Sequence, residues 1–427
     1  MLLIRNGFVI DPKSQTAEKQ DVLIHNGKII KIGKRLWERL KQKPEHTIHA
    51  DGLIVAPGLV DIHVHFRDPG LTYKEDIESG SAAAAAGGFT SVVLMANTKP
   101  PVDTAETLEY VMNKATKSPI RIHTCACVTK GMAGAELTSM QELSELGAVG
   151  FTDDGAPIME EGLLKNALEM AASLKKPISL HEEDPEYIVE NGINAGEVAK
   201  KMGLKGSSRE AEVNMVKRDI HIANGIDAKV NLQHISTREA VGLIRESKKT
   251  NPFLHAEATP HHFALTEEDV LQYGTNAKMN PPLRQEEDRL AIIEGIKDGT
   301  IDIIATDHAP HSKEEKEREF KEAPSGITGL ETALPLGITK LVQEANMPML
   351  DFLARMTWNP ARLYGLKAGF LAEGGPADLV VFSENEIFQM KKSASKSENT
   401  PFFGVTLKGK VCYTICRGEI VYDGRRM

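Results

Sequence analysis

Apolar residues recur along this chain in two different rhythms. From residue 1 to about 55, and again from about 370 to 427, they form short runs broken by turn residues, as in "LLIRNGFVI", "QDVLIHNGKIIKIG" and "KVCYTICRGEIVYDG". Asn26-Gly27 separates two such runs, and this dipeptide favours a tight hairpin because both residues accept positive φ. Neither terminal stretch holds enough apolar residues for a core of its own, so the two are expected to build one small β domain together. The middle of the chain alternates strand-like and helix-like patterns. Apolar runs begin near Leu59, Thr90, Arg121, Ala148, Pro177, Lys229, Phe253 and Asp302. Helical patterns lie between them, such as "ESGSAAAAAGGF", rich in the best helix former and closed by Gly87-Gly88. Eight strands separated by helices predict an α/β fold, a (β/α)8 TIM barrel. The expected division is a β-sandwich domain from residues 1–55 and 369–427, and a catalytic barrel over 56–368.

The strand-like runs share a second regularity: they start apolar and end polar. His63 and His65 close the first, Asn97 the second, and Asp153 and Asp154 the fourth. His181 closes the fifth, His234 the sixth, and Asp307 with His308 the eighth. In a parallel barrel the C-terminal strand ends form the face that carries the active site, so these distant residues should meet at one rim. Within "DIHVHFRDPG", strict alternation puts Asp61, His63, His65 and Arg67 on one side and Ile62, Val64 and Phe66 on the other. Imidazoles and carboxylates without thiolates suit Zn²⁺ or a similar divalent ion. His63, His65, Asp153, His181, His234 and Asp307 exceed the needs of one tetrahedral ion. One or two Zn²⁺ per chain are expected, and two sharing a carboxylate make fuller use of the set. The chemistry implied is hydrolysis or its reverse.

Composition narrows the partners. The chain has 427 residues, 41% hydrophobic and 26% charged, an ordinary globular composition. A net charge of -9 argues against nucleic acid or an anionic membrane surface. No apolar run approaches the roughly 20 residues of a spanning helix, and the N-terminus reads as strand and turn rather than an export signal. Cys125, Cys127, Cys412 and Cys416 sit in strand patterns without C-x-x-C spacing, so core packing is their expected role. A cytoplasmic protein acting on a small molecule is the expectation.

Several stretches together carry a family resemblance: "APGLVDIHVHFRDPG", "GGFTSVVLMANTKP", "GFTDDG", "LQHIS", "EATPHH", "NPPLR", "IDIIATDHAPH" and "GITGLETALPL". The late "NPARLYGL" and "GGPADLVVF" fit a barrel end and a return into the β domain. The sequence resembles the amidohydrolase superfamily and, within it, the bacterial type I dihydroorotases. The resemblance implies reversible cyclisation of N-carbamoyl-L-aspartate to (S)-dihydroorotate, a step of pyrimidine biosynthesis. It implies that His63, His65, Asp153 and Asp307 bind one metal, and that His181 and His234 bind a second with Asp153 bridging. Asp307 would move the proton between a metal-bound hydroxide and the leaving amide nitrogen. His65, Arg67, Asn97, Asn280, His311, Ser325 and Gly326 would contact substrate, with Arg67 gripping a carboxylate.

The chain departs from relatives that bridge their metals with a carboxylated lysine, since "AVGFTDDG" has none. Glu182 stands where cysteine is usual, and "MANT" replaces "MPNT". The rival readings are a hydantoinase- or allantoinase-like cyclic amidohydrolase, and a scaffold for aspartate carbamoyltransferase that has lost its metal ligands. Every candidate ligand is retained here, against the second. A homodimer and an association with that transferase are the expected assemblies. Residues 312–326 read as a charged mobile loop, or a solvated helix, beside the pocket, able to act as a lid. His25, His46 and His49 are expected to be peripheral, His261 and His262 pocket wall, and His308 a support for its neighbour.

Overall fold

In the computed structural model, which describes residues 1–426, β1 (Leu2–Asp11) pairs antiparallel with β2 (Thr16–His25), and β2 with β3 (Lys28–Gly33). The expected Asn26-Gly27 turn joins the last two, with φ of 49° and 71°. Strands β4 (His46–His49) and β5 (Ile54–Pro57) run parallel to opposite ends of β1.

Eight short parallel strands follow: β6 (Leu59–Val64), β7 (Phe89–Leu94), β8 (Arg121–Thr124) and β9 (Phe151–Thr152), then β10 (Ile178–Leu180), β11 (Val230–Leu232), β12 (Leu254–Ala258) and β13 (Ile303–Ile304). Ladders link β6 to β8 and β9 to β13. Single bridges close the barrel, Ala126 to Phe151 on one side and Val64 to His308 on the other. Each of the eight expected runs is a barrel strand. The alanine-rich helix spans Ile77–Ala86, capped by the Asp76 carboxylate on the Ser79 N–H. It buries Ala83, Ala84 and Ala85, and Gly88 leaves it at φ 91°, a conformation glycine adopts freely.

After the barrel, β14 (Leu379–Phe388), β15 (Leu407–Cys416) and β16 (Glu419–Asp423) complete one eight-stranded sheet, with β14 paired antiparallel to β5. Its apolar layer draws on both termini: Ile4, Val22, Ile24 and Ile29 pack with Val55, Leu379, Val381 and Ile415. Arg121 on β8 donates to the buried Asp378 carboxylate (2.6 Å), tying the barrel to this sheet. His25, His46 and His49 are exposed. The four cysteines are buried and free. Among the described residues, no helix is long and apolar enough to cross a membrane.

Strict alternation along β6 does not hold. Its register with β7 slips between Asp61 and Val64. Ile62 keeps the face of Val60 and packs with Val93, Cys125 and Ile303, while Val64, past the slip, joins the layer beneath the helices. The slip still delivers both imidazoles to the rim.

Candidate metal centre and active site

The rim is built around one carboxylate. Asp154 lies 3.5 Å from His63 Nε2, 3.4 Å from His65 Nε2, 3.6 Å from His181 Nδ1 and 3.8 Å from His234 Nε2. Asp307 Oδ1 stands 3.0 Å from His65 Nε2 and 3.5 Å from His63 Nε2. His181 Nδ1 and His234 Nε2 are 2.9 Å apart. The structure thus brings together His63, His65, His181, His234 and Asp307, all buried.

The expectation for Asp153 is corrected. Its carboxylate accepts from the Val128 N–H (2.8 Å), the Thr129 N–H (3.1 Å) and the Thr129 hydroxyl, and so braces the chain leaving β8. Adjacent side chains leave a strand on opposite faces, so only one of the two aspartates can point into the barrel. Phe151, in the layer beneath the helices, fixes the outward parity, which Asp153 shares and Asp154 does not. That bulky aromatic was the available signal.

Asn97 stands at the same rim. Its Oδ1 pairs with His65 Nδ1 (2.9 Å), while its Nδ2 donates to the Asp154 carboxylate and carbonyl (both 3.1 Å). The amide thereby orients two rim residues.

Behind His63 lies a polar chain that the sequence did not reveal. His63 Nδ1 meets Glu257 at 2.5 Å, and the other Glu257 oxygen accepts from Asn231 Nδ2 at 2.8 Å. Asn231 also reaches Ser179 Oγ (3.2 Å), which pairs with the Tyr364 hydroxyl (2.7 Å). The carboxylate fixes the ring with Nε2 toward the rim, the arrangement of a ligand histidine.

Charge explains the shifted proton affinities. Burial works against a charged His63, but Glu257, Asp154 and Asp307 outweigh it and hold its proton well above the usual range. His181 is likewise opposed by burial yet raised to about 10 by Asp154 and Glu183. Burial disfavours the Asp154 carboxylate, but the surrounding imidazoles hold its affinity well below normal. The rim is a site made for added positive charge.

The donor set fits a divalent cation. His63, His65 and Asp307 offer atoms within 4.8 Å of one another, as do His63, Asp154 and His234. His63 Nε2, which faces Asp154 and Asp307, is buried with no hydrogen-bond partner among the described residues, a costly state that a ligand relieves.

Arg67, His311, Ser325 and Gly326 form a second wall. Arg67 Nε donates to the Pro310 carbonyl (3.3 Å), and its Nη2 lies 3.4 Å from His311 Nε2. Among the described residues no carboxylate pairs with Arg67. His311 accepts from Lys74 Nζ at Nδ1 (3.2 Å) and donates from Nε2 to the Ser325 carbonyl (2.9 Å). Burial, with Arg67 and Lys74 nearby, pushes this imidazole down to about 2, so it stays neutral. Asn280 Oδ1 is buried without a partner. His308 supports its neighbours: its Nε2 faces Glu75 at 3.3 Å and its Nδ1 accepts from the Gly329 N–H. His261 and His262 are buried just past β12, and His262 is held by the Pro281 carbonyl.

Residues 312–326 begin as a short helix and are largely exposed, with one lysine turned inward. A short helix, Lys313–Lys316, starts from a Ser312–Glu315 capping box. The Lys316 side chain turns inward and is only 6% exposed. Gly326 sits at φ 139°, and a Cβ there would meet the Ala309 carbonyl oxygen at 2.8 Å.

The chain matches the family model described as Amidohydrolase family over residues 54–421. It is 54% identical to a dihydroorotase of Clostridioides difficile (strain 630), over 99% of this chain and 100% of that one. It is 48% identical to a dihydroorotase of Clostridium acetobutylicum over 100% of both. Among solved structures it is similar to the L-hydantoinase (dihydropyrimidinase) from Arthrobacter aurescens, with a TM-score of 0.86 and 23% identity, covering 99% of this chain and 96% of that one. At that identity the likeness speaks to the barrel and its appended sheet. The matched span runs from β5 into β16 and takes in every rim residue, and the chain belongs to the amidohydrolase family.

Proposed function

We propose that this chain acts as a dihydroorotase, opening the cyclic amide of (S)-dihydroorotate to N-carbamoyl-L-aspartate and closing it in reverse. The observation that carries the reading is the meeting of four imidazoles with Asp154 and Asp307 at a buried rim, beside a guanidinium that no carboxylate among the described residues neutralises. Full-length relatives at 48–54% identity that bear this name support the choice among cyclic amides.

His63, His65 and Asp307 would hold one Zn²⁺, and His181 and His234 a second, with Asp154 between them. A cation held there supplies a water of lowered pKa and polarises the amide carbonyl. The chain's own residues do the rest. In ring opening the amide C–N bond breaks, hydroxyl adds to the carbonyl carbon, and the nitrogen gains a proton. The Asp307 carboxylate takes that proton from the attacking water and delivers it to the nitrogen. Its position 3.0 Å from His65 Nε2 keeps it ionised and oriented. Arg67 grips the substrate carboxylate through its planar fork. Asn280 and the backbone of Ser325 and Gly326 complete the pocket for the ring, and neutral His311 holds that backbone by the Ser325 carbonyl.

Hydantoin lacks the carboxylate that Arg67 is placed to bind, which argues against the rival cyclic amidohydrolases. The complete rim argues against a scaffold without catalysis. The test is direct: metal-loaded protein is incubated with dihydroorotate, hydantoin and allantoin, and ring opening is followed. Dihydroorotate should be strongly preferred; a preference for hydantoin overturns the substrate while leaving the metal centre in place. The same reading sets the reaction in the cytosol, in keeping with four free thiols. It also expects a homodimer able to associate with aspartate carbamoyltransferase, which sedimentation of the protein alone and mixed with the transferase would test.

A further inference from the structure

Two buried lysines beside the second wall have no place in the reaction above. Lys278 is 3% exposed and Lys316 6%. Among the described residues neither has a carboxylate within ion-pairing distance. Lys278 Nζ instead donates to the carbonyls of Phe320 (2.7 Å), Lys321 (3.3 Å) and Ala323 (2.7 Å), and lies 5.1 Å from the centre of the Phe320 ring. Lys316 Nζ donates to the carbonyls of Pro324 (2.9 Å) and Gly326 (3.2 Å).

These ammonium groups complete an unusual pattern. Side chains occupy four consecutive carbonyls: Ala323 by Lys278, Pro324 by Lys316, Ser325 by His311, and Gly326 by Lys316 and Asn399. The Gly326 N–H in turn donates to the Lys278 carbonyl (2.9 Å). The segment therefore has its shape imposed by side chains from elsewhere and not by a ladder of its own. On its far side the Ser325 hydroxyl donates to Asn191 Oδ1 (2.7 Å). A Cβ on Gly192, at φ 81°, would strike both Lys278 Cγ and Ser325 Oγ at 2.5 Å, so the turn closes tightly over the same point.

An unpaired buried ammonium is a poor way to gain stability. Its desolvation is only partly offset by carbonyl dipoles, and an apolar side chain of equal length would fill the space at lower cost. Burial, with Lys278 close by, pushes Lys316 down to about 7, and burial lowers Lys278 too. What an apolar replacement cannot do is fix the direction of the carbonyls. We propose that Lys278 and Lys316 are positioning residues that clasp the 320–326 segment by its carbonyls and hold the Ser325–Gly326 backbone in register with His311 and Arg67 for an anionic substrate. The assignment rests on the dihydroorotase reading for its substrate, while the clasp itself is independent of it.

The experiment uses full-length, metal-loaded protein carrying Lys278→Met, Lys316→Met or both, with Lys316→Arg as the conservative variant. Each Met variant should keep its bound metal and a thermal midpoint equal to or above the parent's. Its KM for dihydroorotate should rise about tenfold or more, with kcat changed less, because lost hydrogen bonds to charged donors are worth that much. Lys316→Arg should recover part of the loss. Limited trypsinolysis without substrate should cut the Met variants faster at Arg318 and Lys321. Wild-type KM in both Met variants, or cleavage no faster than the parent's, overturns the clasp. A fall in KM performance accompanied by an equal fall in thermal midpoint marks a merely structural role and also overturns it. Failure of the parent protein to open dihydroorotate would sink the substrate reading, and the protease result would still decide the clasp.

Discussion

The two walls of the pocket solve opposite electrostatic problems. On the strand-end wall, four imidazoles crowd two carboxylates, and the unpartnered His63 Nε2 is placed for a cation. On the loop wall, Arg67 has no carboxylate partner among the described residues and is placed for an anion, while Lys278 and Lys316 spend their ammonium groups on the carbonyls of the loop beside it. The first wall stands on barrel strands, whose ladders fix it. The second stands on turns and a loop, which must be fastened side chain by side chain. Each wall should therefore suffer its own kind of damage: substitutions in the first should abolish chemistry, and those in the second should loosen substrate capture.

The largest effect is expected at Asp307. An amide cannot ferry the proton, so Asp307→Asn should lower kcat by about 10³-fold when compared at equal metal content. A loss of less than tenfold would remove the shuttle from the mechanism. Next come the paired aspartates. Asp154→Asn should weaken metal binding by at least the roughly 10–100-fold that changes around a metal ligand typically cost. Asp153→Asn should keep the metal and lower stability by about 1–3 kcal/mol, through its bonds to Val128 and Thr129. Metal analysis of the two variants separates them, and loss of metal from the Asp153 variant would reverse the assignment.

Arg67→Met tests the other wall. KM should rise about 10–100-fold, the worth of hydrogen bonds between charged partners, with a smaller change in kcat. A pure kcat effect would mean that the guanidinium acts on the reacting atoms instead. The smallest effect on the pocket is expected from His123, on β8 away from both walls. Burial, with Arg121 and Arg417 beside it, pushes its imidazole from 6.5 down to about 4. The unfolded chain therefore binds this proton more readily, so the contribution is complete above 6.5 and is lost as pH falls toward 4. His123→Gln should flatten the acid limb of urea stability by up to about 3 kcal/mol while leaving turnover at neutral pH alone. An unchanged limb would place the acid sensitivity at the rim.

Legibility followed the same division. All eight barrel strands showed as apolar runs, because a strand buried on both faces has to be apolar along its length. Polar strand ends marked His63, His65, His181, His234 and Asp307 for the same rim. Alternation failed where the backbone left ideal strand geometry. A register slip parted Val64 from Ile62, and His234 and Asp307 hold their places at φ 34° and 47°, conformations no spacing rule anticipates. Lys316 was hidden for a different reason: in a run of lysines and glutamates, composition cannot tell which ammonium turns inward.

The alternation of elements, the joint β domain of the two termini and the residue types at the strand ends follow from local periodicity and turn chemistry, which are written in neighbouring residues. That Asp154 and not Asp153 faces the rim, that Glu257 stands behind His63, and that two lysines fasten the loop became visible with the folded chain. Those choices depend on side-chain direction and on which polar group finds a partner once water is excluded, and such pairings exist only between segments the fold brings together.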